Sequence, residues 1–464
     1  MTDISKIKGF YFAGIGGIGM SALARYFLAG GYIIAGYDRN NSDLTNELTE
    51  EGCTISYEDD PATLPALFSD IARRDEVVIV YTPALPASGN LVSWFRQNGY
   101  TMYKRSELLG AISEKTDTLA VAGTHGKTTV STLLAHILKL SHVDCSAFLG
   151  GISKNYNSNL LTGEGRYTVM EADEYDRSFL RLSPLMAIVT SADADHLDIY
   201  GDHATMIEGY NQFCSQIRPG GAMVVNRRIR DLIKPQPDVA YLTYGIDDLA
   251  DFAAINIVPD GHYYRFDLKT PSGIHRDIHL SFPGQINVEN AVAASAVALL
   301  SGAVIEEIRK ALICFRGVKR RFDIRTDRPE IVYIDDYAHH PEEIKAFIRS
   351  IREQYPGRRI TGIFQPHLFS RTRDHAATFA EALDQLDNVL LMPIYPAREE
   401  PVPGVTTELI KGFMRSRNVK LVKPEEVTDA IDFGVTDVLA TIGAGDIDRL
   451  VRPIEDAIGR MYNR

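Results

Sequence analysis

The stretch LAVAGTHGKTTVSTLLAHILK, from Leu119 to Lys139, constrains this chain more than any other. A β-rich run, Thr118 to Ala122, ends at the turn Gly123-Thr124-His125-Gly126, after which Val130, Leu133, Leu134, Ile137 and Leu138 recur at helical spacing. Strand, glycine turn and helix in that order make a phosphate cradle. Gly126 lets backbone N–H groups approach phosphate oxygens and the helix N-terminus adds partial positive charge. Lys127 reaches the β- and γ-phosphates, and the Thr128 hydroxyl can hold Mg2+. The match to G-x-x-x-x-G-K-[ST] is partial, because Val121 stands where the first glycine belongs. The predicted ligand is a nucleoside triphosphate. A turn that merely joins strand to helix would leave Lys127, Thr128 and Thr129 without a purpose.

At 464 residues, the chain has length for about three domains of ~150 residues each. Its net charge of −12 argues against nucleic acid or an anionic membrane as main partner, since both demand basic surface. Cys53, Cys145, Cys214 and Cys314 are far apart and form no C-x-x-C, so they read as reduced and mostly buried. The N-terminus lacks an apolar signal core, and the longest apolar run, Ala291 to Leu300, is half a membrane span. The expectation is a cytoplasmic protein acting on small molecules.

The chain opens with a predicted strand, Gly9 to Ala13, that runs into Gly14-Ile15-Gly16-Gly17-Ile18-Gly19 and a helix from Met20 to Leu28. A second strand, Tyr32 to Tyr37, ends in Asp38. G-x-G-x-x-G between strand and helix is a Rossmann-like diphosphate site, and the pattern alone would suggest NAD with Asp38 on a ribose hydroxyl. The geometry specifies diphosphate, not nicotinamide. A strand from Val77 to Tyr81 delivers Thr82 to the carboxyl edge, where ligands sit.

Beyond the cradle, the strand Tyr167 to Met170 is followed by Glu171-Ala172-Asp173-Glu174-Tyr175-Asp176, and a strand end of this kind can face Mg2+ on a triphosphate. A second strand, Met186 to Thr190, leads to Ser191 through Asp198, where His196 could complete a second metal site. Asn287 reads as the N-cap of the alanine-rich helix that ends at Leu300, and Asn290 as a reader of a base edge. The basic cluster Arg316 to Arg321 is a predicted linker that could place Arg321 over the nucleotide. Strands at Ile331 to Asp335, Ile360 to Gln365, Val389 to Met392 and Val438 to Ile442 predict a third, parallel-sheet domain. Pro393 to Pro403 reads as an exposed loop.

Six motifs in order, GTHGKTT (123–129), EADE (171–174), DADHLD (193–198), NVEN (287–290), RRFD (320–323) and DDYAHHP (335–341), resemble the ATP-dependent Mur ligases of peptidoglycan synthesis. The resemblance spans the whole chain. The opening GIGGIGMSALA, with QPHLFSRTRD and IYPARE, is most similar to the members that join L-alanine to UDP-N-acetylmuramate. Two departures stand out: Tyr175 where Ser is usual, as in the murein tripeptide-recycling ligases, and Leu368 where an Arg usually follows QPH. The recycling activity therefore stays open as an alternative.

The resemblance implies three α/β domains: a Rossmann-like UDP-substrate domain (1–106), a central P-loop ATPase domain (107–316) and a Rossmann-like amino-acid domain (317–464). It implies ATP and Mg2+, in two sites, as cofactors, with Thr128, Glu171 and His196 as metal ligands. Catalysis would rest on Lys127, Glu171, His196 and Arg321, and ATP on Gly123, Thr124, His125, Gly126, Lys127, Thr128, Thr129, Asn287, Asn290, Arg321 and Asp336. The UDP substrate would lie on Gly14, Gly16, Gly17, Ile18, Gly19, Asp38 and Thr82, and the amino acid near Tyr337, His339, His367, Arg371 and Arg373. A monomer or weak homodimer is expected. An NAD-dependent oxidoreductase explains only G-x-G-x-x-G and Asp38; a non-catalytic nucleotide switch explains only the cradle.

Overall fold

Runs such as VVIVY (77–81) and TLAVA (118–122) carry no polar alternation, the mark of strands covered on both faces, and all of them are buried parallel strands except at their ends. The computed structural model describes residues 6–82, 89–194, 197–261, 263–397 and 399–462, with the backbone alone at 197 and 198. The strands predicted at Gly9–Ala13, Val77–Tyr81 and Val438–Ile442 form with those bounds.

The first sheet holds β1 (Gly9–Ala13), β2 (Ile33–Tyr37), β3 (Thr54–Ser56), β4 (Val77–Tyr81) and β5 (Met102–Lys104), all parallel in the order β3-β2-β1-β4-β5. The order reverses direction between β1 and β4. That switch point opens a crevice at the carboxyl ends, and the Gly14–Gly19 turn and Thr82 both leave strands that border it.

The second sheet has β6 (Asp117–Ala122), β7 (Cys145–Ser153), β8 (Ser158–Leu161), β9 (Tyr167–Glu171), β10 (Met186–Val189), β11 (Ala222–Asn226), β12 (Ala240–Gly245), β13 (Phe252–Asp260), β14 (Tyr263–Thr270) and β15 (Gly273–Leu280). Its order is β15-β14-β13-β12-β11-β10-β6-β9-β7-β8. With β6 between β9 and β10, Val121 is in register with Glu171 and Ala122 with Val189. Glu171 and Thr190 therefore emerge on either side of the glycine turn. A shared core joins Phe10, Phe12 and Leu23 of the first layer to Phe148, Leu160 and Met170 of the second.

The third sheet holds β16 (Asp323–Asp327), β17 (Val332–Asp336), β18 (Ile360–Phe364), β19 (Asn388–Leu391), β20 (Val419–Leu421) and β21 (Val438–Ile442), ordered β16-β17-β21-β18-β19-β20 with only β16 antiparallel. Ile331, Tyr333, Ile363, Leu439 and Ile454 lie in its own core. The chain forms two compact units: one runs through Asn256 and takes in Phe266–Ile278 and Glu289–Phe315, the other holds Ile257–Arg265, His279–Val288 and the chain from Arg316 on. Among the described residues, no helix is long and apolar enough to cross a membrane. All four cysteines are free and, as expected, mostly buried: Cys53, Cys145 and Cys214 are buried, and Cys314, which ends an amphipathic helix, is exposed.

Candidate active site

The diphosphate turn is built by backbone. Gly14 takes φ +86°, a conformation that L side chains rarely adopt, and the amides of Gly14 and Ile15 both donate to the carbonyl of Tyr37 (2.7 and 3.0 Å). The helix starts at Ile18, earlier than Met20, with Gly17 as N-cap. Asp38 accepts from the Gly16 amide at 2.8 Å, and a Cβ at Gly16 would stand 2.8 Å from the same carboxylate. This carboxylate organises the turn through one oxygen, while the other lies 3.1 Å from the Asn40 amide. A guanidinium that the sequence reading missed, Arg105, lies against Gly19 and 3.7 Å from Asp173. Thr82 is half-buried; Pro83 and Ala84, which follow it, lie outside the described residues.

The phosphate loop has Gly123 at φ +128° and Gly126 at φ +82°, and the helix Lys127–Leu140 begins directly after it. Ser191 ties the loop down: its hydroxyl lies 2.9 Å from that of Thr124 and accepts the His125 amide at 2.8 Å. Thr190 donates to the His125 carbonyl, and the Asp193 amide donates to Thr124 Oγ1 at 3.1 Å. These two residues, Thr190 and Ser191, were not assigned from sequence. A Cβ at Gly126 would meet the Asn290 side-chain oxygen at 3.0 Å, so Asn290 packs against the loop. Thr129 is buried in the first turn.

Lys127 Nζ donates to the Gly123 carbonyl at 2.6 Å and lies 2.7–2.8 Å from the two oxygens of Glu174, which is 1% exposed. Burial alone would lower the lysine pKa, but the carboxylates of Glu174, Asp173 and Glu171 outweigh it, and the pKa is raised. Burial pushes the Glu174 pKa up to about 7, with the Lys127 charge opposing it only in part. The two shifts pull the pair in opposite senses. A contact of 2.7 Å with three carboxylates around the ammonium keeps Lys127 charged. Glu174 stood within a motif, but only folding brings it back to Lys127.

Thr128 Oγ1 donates to Glu171 at 3.1 Å, and β7 approaches so closely that a Cβ at Gly150 would collide with the Glu171 carboxylate. A hydroxyl and a carboxylate, both oxygen donors, suit a hard cation such as Mg2+. His196 lies outside the described residues; among the described ones, no group of three or more His, Cys, Asp or Glu forms a metal cluster.

Asn287 departs from its expected N-cap role. The helix already begins at Gln285, which puts Asn287 in the first turn, where its side chain donates to the Pro283 carbonyl at 2.6 Å. In the unit that starts again at Arg316, Asp336 accepts the amides of Phe322 and Ala338, both at 2.7 Å, and burial pushes its pKa up to about 6. Its carboxylate shapes the loop itself. The guanidiniums of Arg320 and Arg321 both lie 5.0 Å from the Tyr337 ring centroid. His339 is held by the Tyr337 carbonyl (3.0 Å) and by Glu343, and its ring lies 6.1 Å from that of His367, which stacks on Tyr395. Burial lowers the His339 pKa to about 4, with Arg371 and Arg321 adding to the effect and Glu343 opposing it.

Tyr337, His339, His367, Arg371 and Arg321 thus gather at the carboxyl ends of β17 and β18. Arg373 does not join them. It is exposed and paired with Asp374 at 2.7 Å, because two residues along the helix Phe369–Leu383 turn a side chain to the far face. Tyr395, of the IYPARE stretch, and Glu343, two residues past DDYAHHP, join the group without having been assigned from sequence.

Residues 9–116 match the Mur ligase family catalytic domain, 121–298 the Mur ligase middle domain, and 320–446 the Mur ligase glutamate ligase domain. A UDP-N-acetylmuramate--L-alanine ligase of Parabacteroides distasonis is 47% identical over 464 residues, all of both chains. One from Porphyromonas gingivalis is 49% identical over 97% of this chain and 98% of its own. Among solved structures, the UDP-N-acetylmuramate-alanine ligase of Thermotoga maritima has a TM-score of 0.82 at 25% identity, covering 98% of this chain and 99% of that one. A murein peptide ligase of Psychrobacter arcticus shares the fold at TM-score 0.73 and 22% identity, over 97% of this chain and 99% of its own. With three successive domain matches and relatives this similar from end to end, the chain belongs to the Mur ligase family.

Proposed function

We propose that this protein joins L-alanine to the lactyl carboxylate of UDP-N-acetylmuramate at the expense of ATP, in peptidoglycan synthesis. The observation that carries this reading is the Thr128 hydroxyl at 3.1 Å from Glu171, beside Lys127 at the start of a helix. Lys127 answers the charge of a transferring phosphoryl group directly, and Thr128 with Glu171 would do so by holding Mg2+. The choice of L-alanine and UDP-N-acetylmuramate is supported by relatives of that name at 42–49% identity. They favour it over the tripeptide-recycling activity and over an NAD-dependent oxidoreductase.

A carboxylate is a poor electrophile, so the γ-phosphoryl group of ATP first moves to the muramate carboxylate, giving an acyl phosphate and ADP. The amine of alanine then attacks the acyl carbon, phosphate leaves, and the amine gives up a proton. The protein's part is positioning and charge neutralisation. Lys127 and the loop amides hold the triphosphate, with Asn290 against the loop and Asn287, Arg321 and Asp336 as further nucleotide contacts. Gly14 to Gly19, with Thr82, hold the UDP diphosphate. Arg371 offers a planar fork for the alanine carboxylate, with Tyr337, His339 and His367 around it. Mg2+, held by Thr128, Glu171 and His196, would supply Lewis-acid stabilisation of phosphate charge. Residues 1–106, 107–316 and 317–464 would divide the UDP substrate, ATP and amino acid between them. We place the protein in the cytoplasm, as a monomer or weak homodimer.

The test is phosphate release with ATP, UDP-N-acetylmuramate and each amino acid in turn. Release that requires all three substrates, fastest with L-alanine, is the expected result; release without UDP-N-acetylmuramate, or only with a tripeptide, overturns the reading.

A further inference from the structure

Three side chains away from the ligand groups meet in a buried polar knot between the first two sheets. Asn159, on β8, is fully buried; its amide donates to the Ile18 carbonyl at 2.6 Å and to Ser21 Oγ at 2.8 Å. Ser21 Oγ donates to the same carbonyl at 2.9 Å. The amide oxygen of Asn159 accepts from Arg25 at 2.6 Å, and Arg25, 7% exposed, completes its fork on Glu51 (2.7–3.0 Å) and Glu47 (3.0 Å). Every polar atom of Asn159 outside its backbone is thereby used. Ile18 is the first residue of the helix whose N-terminus closes the Gly14–Gly19 turn, so the bond falls on the turn itself.

The facing strand of the same hairpin reaches the phosphate site. β8 pairs with β7 through Leu160–Phe148 and Leu161–Ala147, and the irregular stretch that follows Phe148 contains Gly150, which abuts Glu171. One two-stranded element therefore touches the start of the diphosphate helix through Asn159 and the phosphate-site carboxylate through Gly150. Phosphoryl transfer needs reacting atoms about 3–3.5 Å apart, and a displacement of ~1 Å is enough to cost about 10²-fold in rate. An apolar contact would tolerate sliding. A short, directional amide bond does not.

We propose that Asn159 is a positioning residue for the muramate substrate: through the β7–β8 hairpin it fixes the distance between the diphosphate turn and the phosphoryl-transfer centre. This rests on reading Gly14–Gly19 as the UDP site. The discriminating variant is Asn159→Asp. It keeps an acceptor for Arg25, and with it the packing, but loses both donated bonds and sets a carboxylate against the Ile18 carbonyl. We expect KM for UDP-N-acetylmuramate to rise about tenfold, the loss of one to two buried hydrogen bonds. kcat should fall about tenfold or more, while KM for ATP stays within about twofold. Ser21→Ala, which removes one partner without adding charge, should raise the muramate KM about threefold and covers the case in which Asn159→Asp does not fold. A merely structural role would lower the melting temperature and move both KM values alike or neither. Equal shifts for ATP and muramate, or a muramate KM within twofold of wild type in the folded variants, overturn the inference. Wild-type protein that fails to bind UDP-N-acetylmuramate sinks instead the reading on which it rests.

Discussion

Lys127 is folded back on its own loop: its ammonium lies 2.7 Å from Glu174 and 2.6 Å from the Gly123 carbonyl. Reaching a β- or γ-phosphate means exchanging one set of anions for another. Lys127→Ala removes a fixed cation from the transferring group and should cost ~10²-fold or more in kcat, or about 3 kcal/mol. It also strands Glu174, 1% exposed, so the melting temperature should drop as well. The pairing with Lys127→Ala is checked by Glu174→Gln, which should restore much of the lost stability to the double variant and none of its rate. Near-normal turnover in Lys127→Ala would remove the lysine from the nucleotide site.

Glu171→Gln keeps the shape beside Thr128 but gives up a charge that a cation would need. Together with His196→Ala it should raise the Mg2+ concentration needed for half-maximal rate, with partial recovery at high Mg2+ by mass action. Lys127→Ala should show no such recovery. An unchanged Mg2+ dependence in both variants would make these residues structural.

Arg371 lies close enough to His339 to bear on its charge, whereas Arg373 is engaged by Asp374 on the exposed face. Arg371→Lys should therefore raise KM for L-alanine about tenfold or more, since a point charge does not replace a bidentate fork. KM for ATP and UDP-N-acetylmuramate should change little, and Arg373→Ala should leave all three near wild type. An unchanged alanine KM in Arg371→Lys would move the carboxylate contact elsewhere.

Two imidazoles are buried in neutral form. Burial lowers the pKa of both His136 and His339 from 6.5 to about 4. Between those values the unfolded chain binds the proton and the folded one does not, so this contribution is full above pH 6.5 and lost as pH falls toward 4. It amounts to up to about 3 kcal/mol per histidine. The carboxyls of Glu174, Asp335 and Asp336, pushed up by burial, act in the opposite sense, so the difference between variant and parent is what counts. His136→Gln, which gives up contacts to Tyr156 and Ala311, should lower the melting temperature at pH 7.5 and close the gap to the parent by pH 4.5. A gap independent of pH would mean that His136 is not held neutral.

Local pattern was enough for much of this molecule. The spacing of Val130, Leu133, Leu134, Ile137 and Leu138 determined a helix, the unalternating strands determined covered parallel sheets, and the glycines at 14 and 126 marked positions that take positive φ. Each is set by residues within a turn or two of one another, through sterics and the side on which apolar groups must be buried. The motifs also brought out Lys127, Thr128 and Glu171, which the fold sets side by side at the phosphate loop, because phosphate and Mg2+ chemistry demands particular side chains at strand ends. What the sequence left open depends on which strands become neighbours. Only the order of β9, β6 and β10 brings Glu174 to Lys127 and Ser191 to Thr124. Only the packing of the first sheet on the hairpin β7–β8 brings Asn159 to Ile18, 141 positions away. Asp38 and Asp336 read as ligand contacts in the sequence; only the fold shows that each carboxylate also accepts a backbone amide from a distant stretch, Gly16 22 positions away and Phe322 14 positions away. A buried amide must find an acceptor, and the nearest one is known only once the chain has closed on itself.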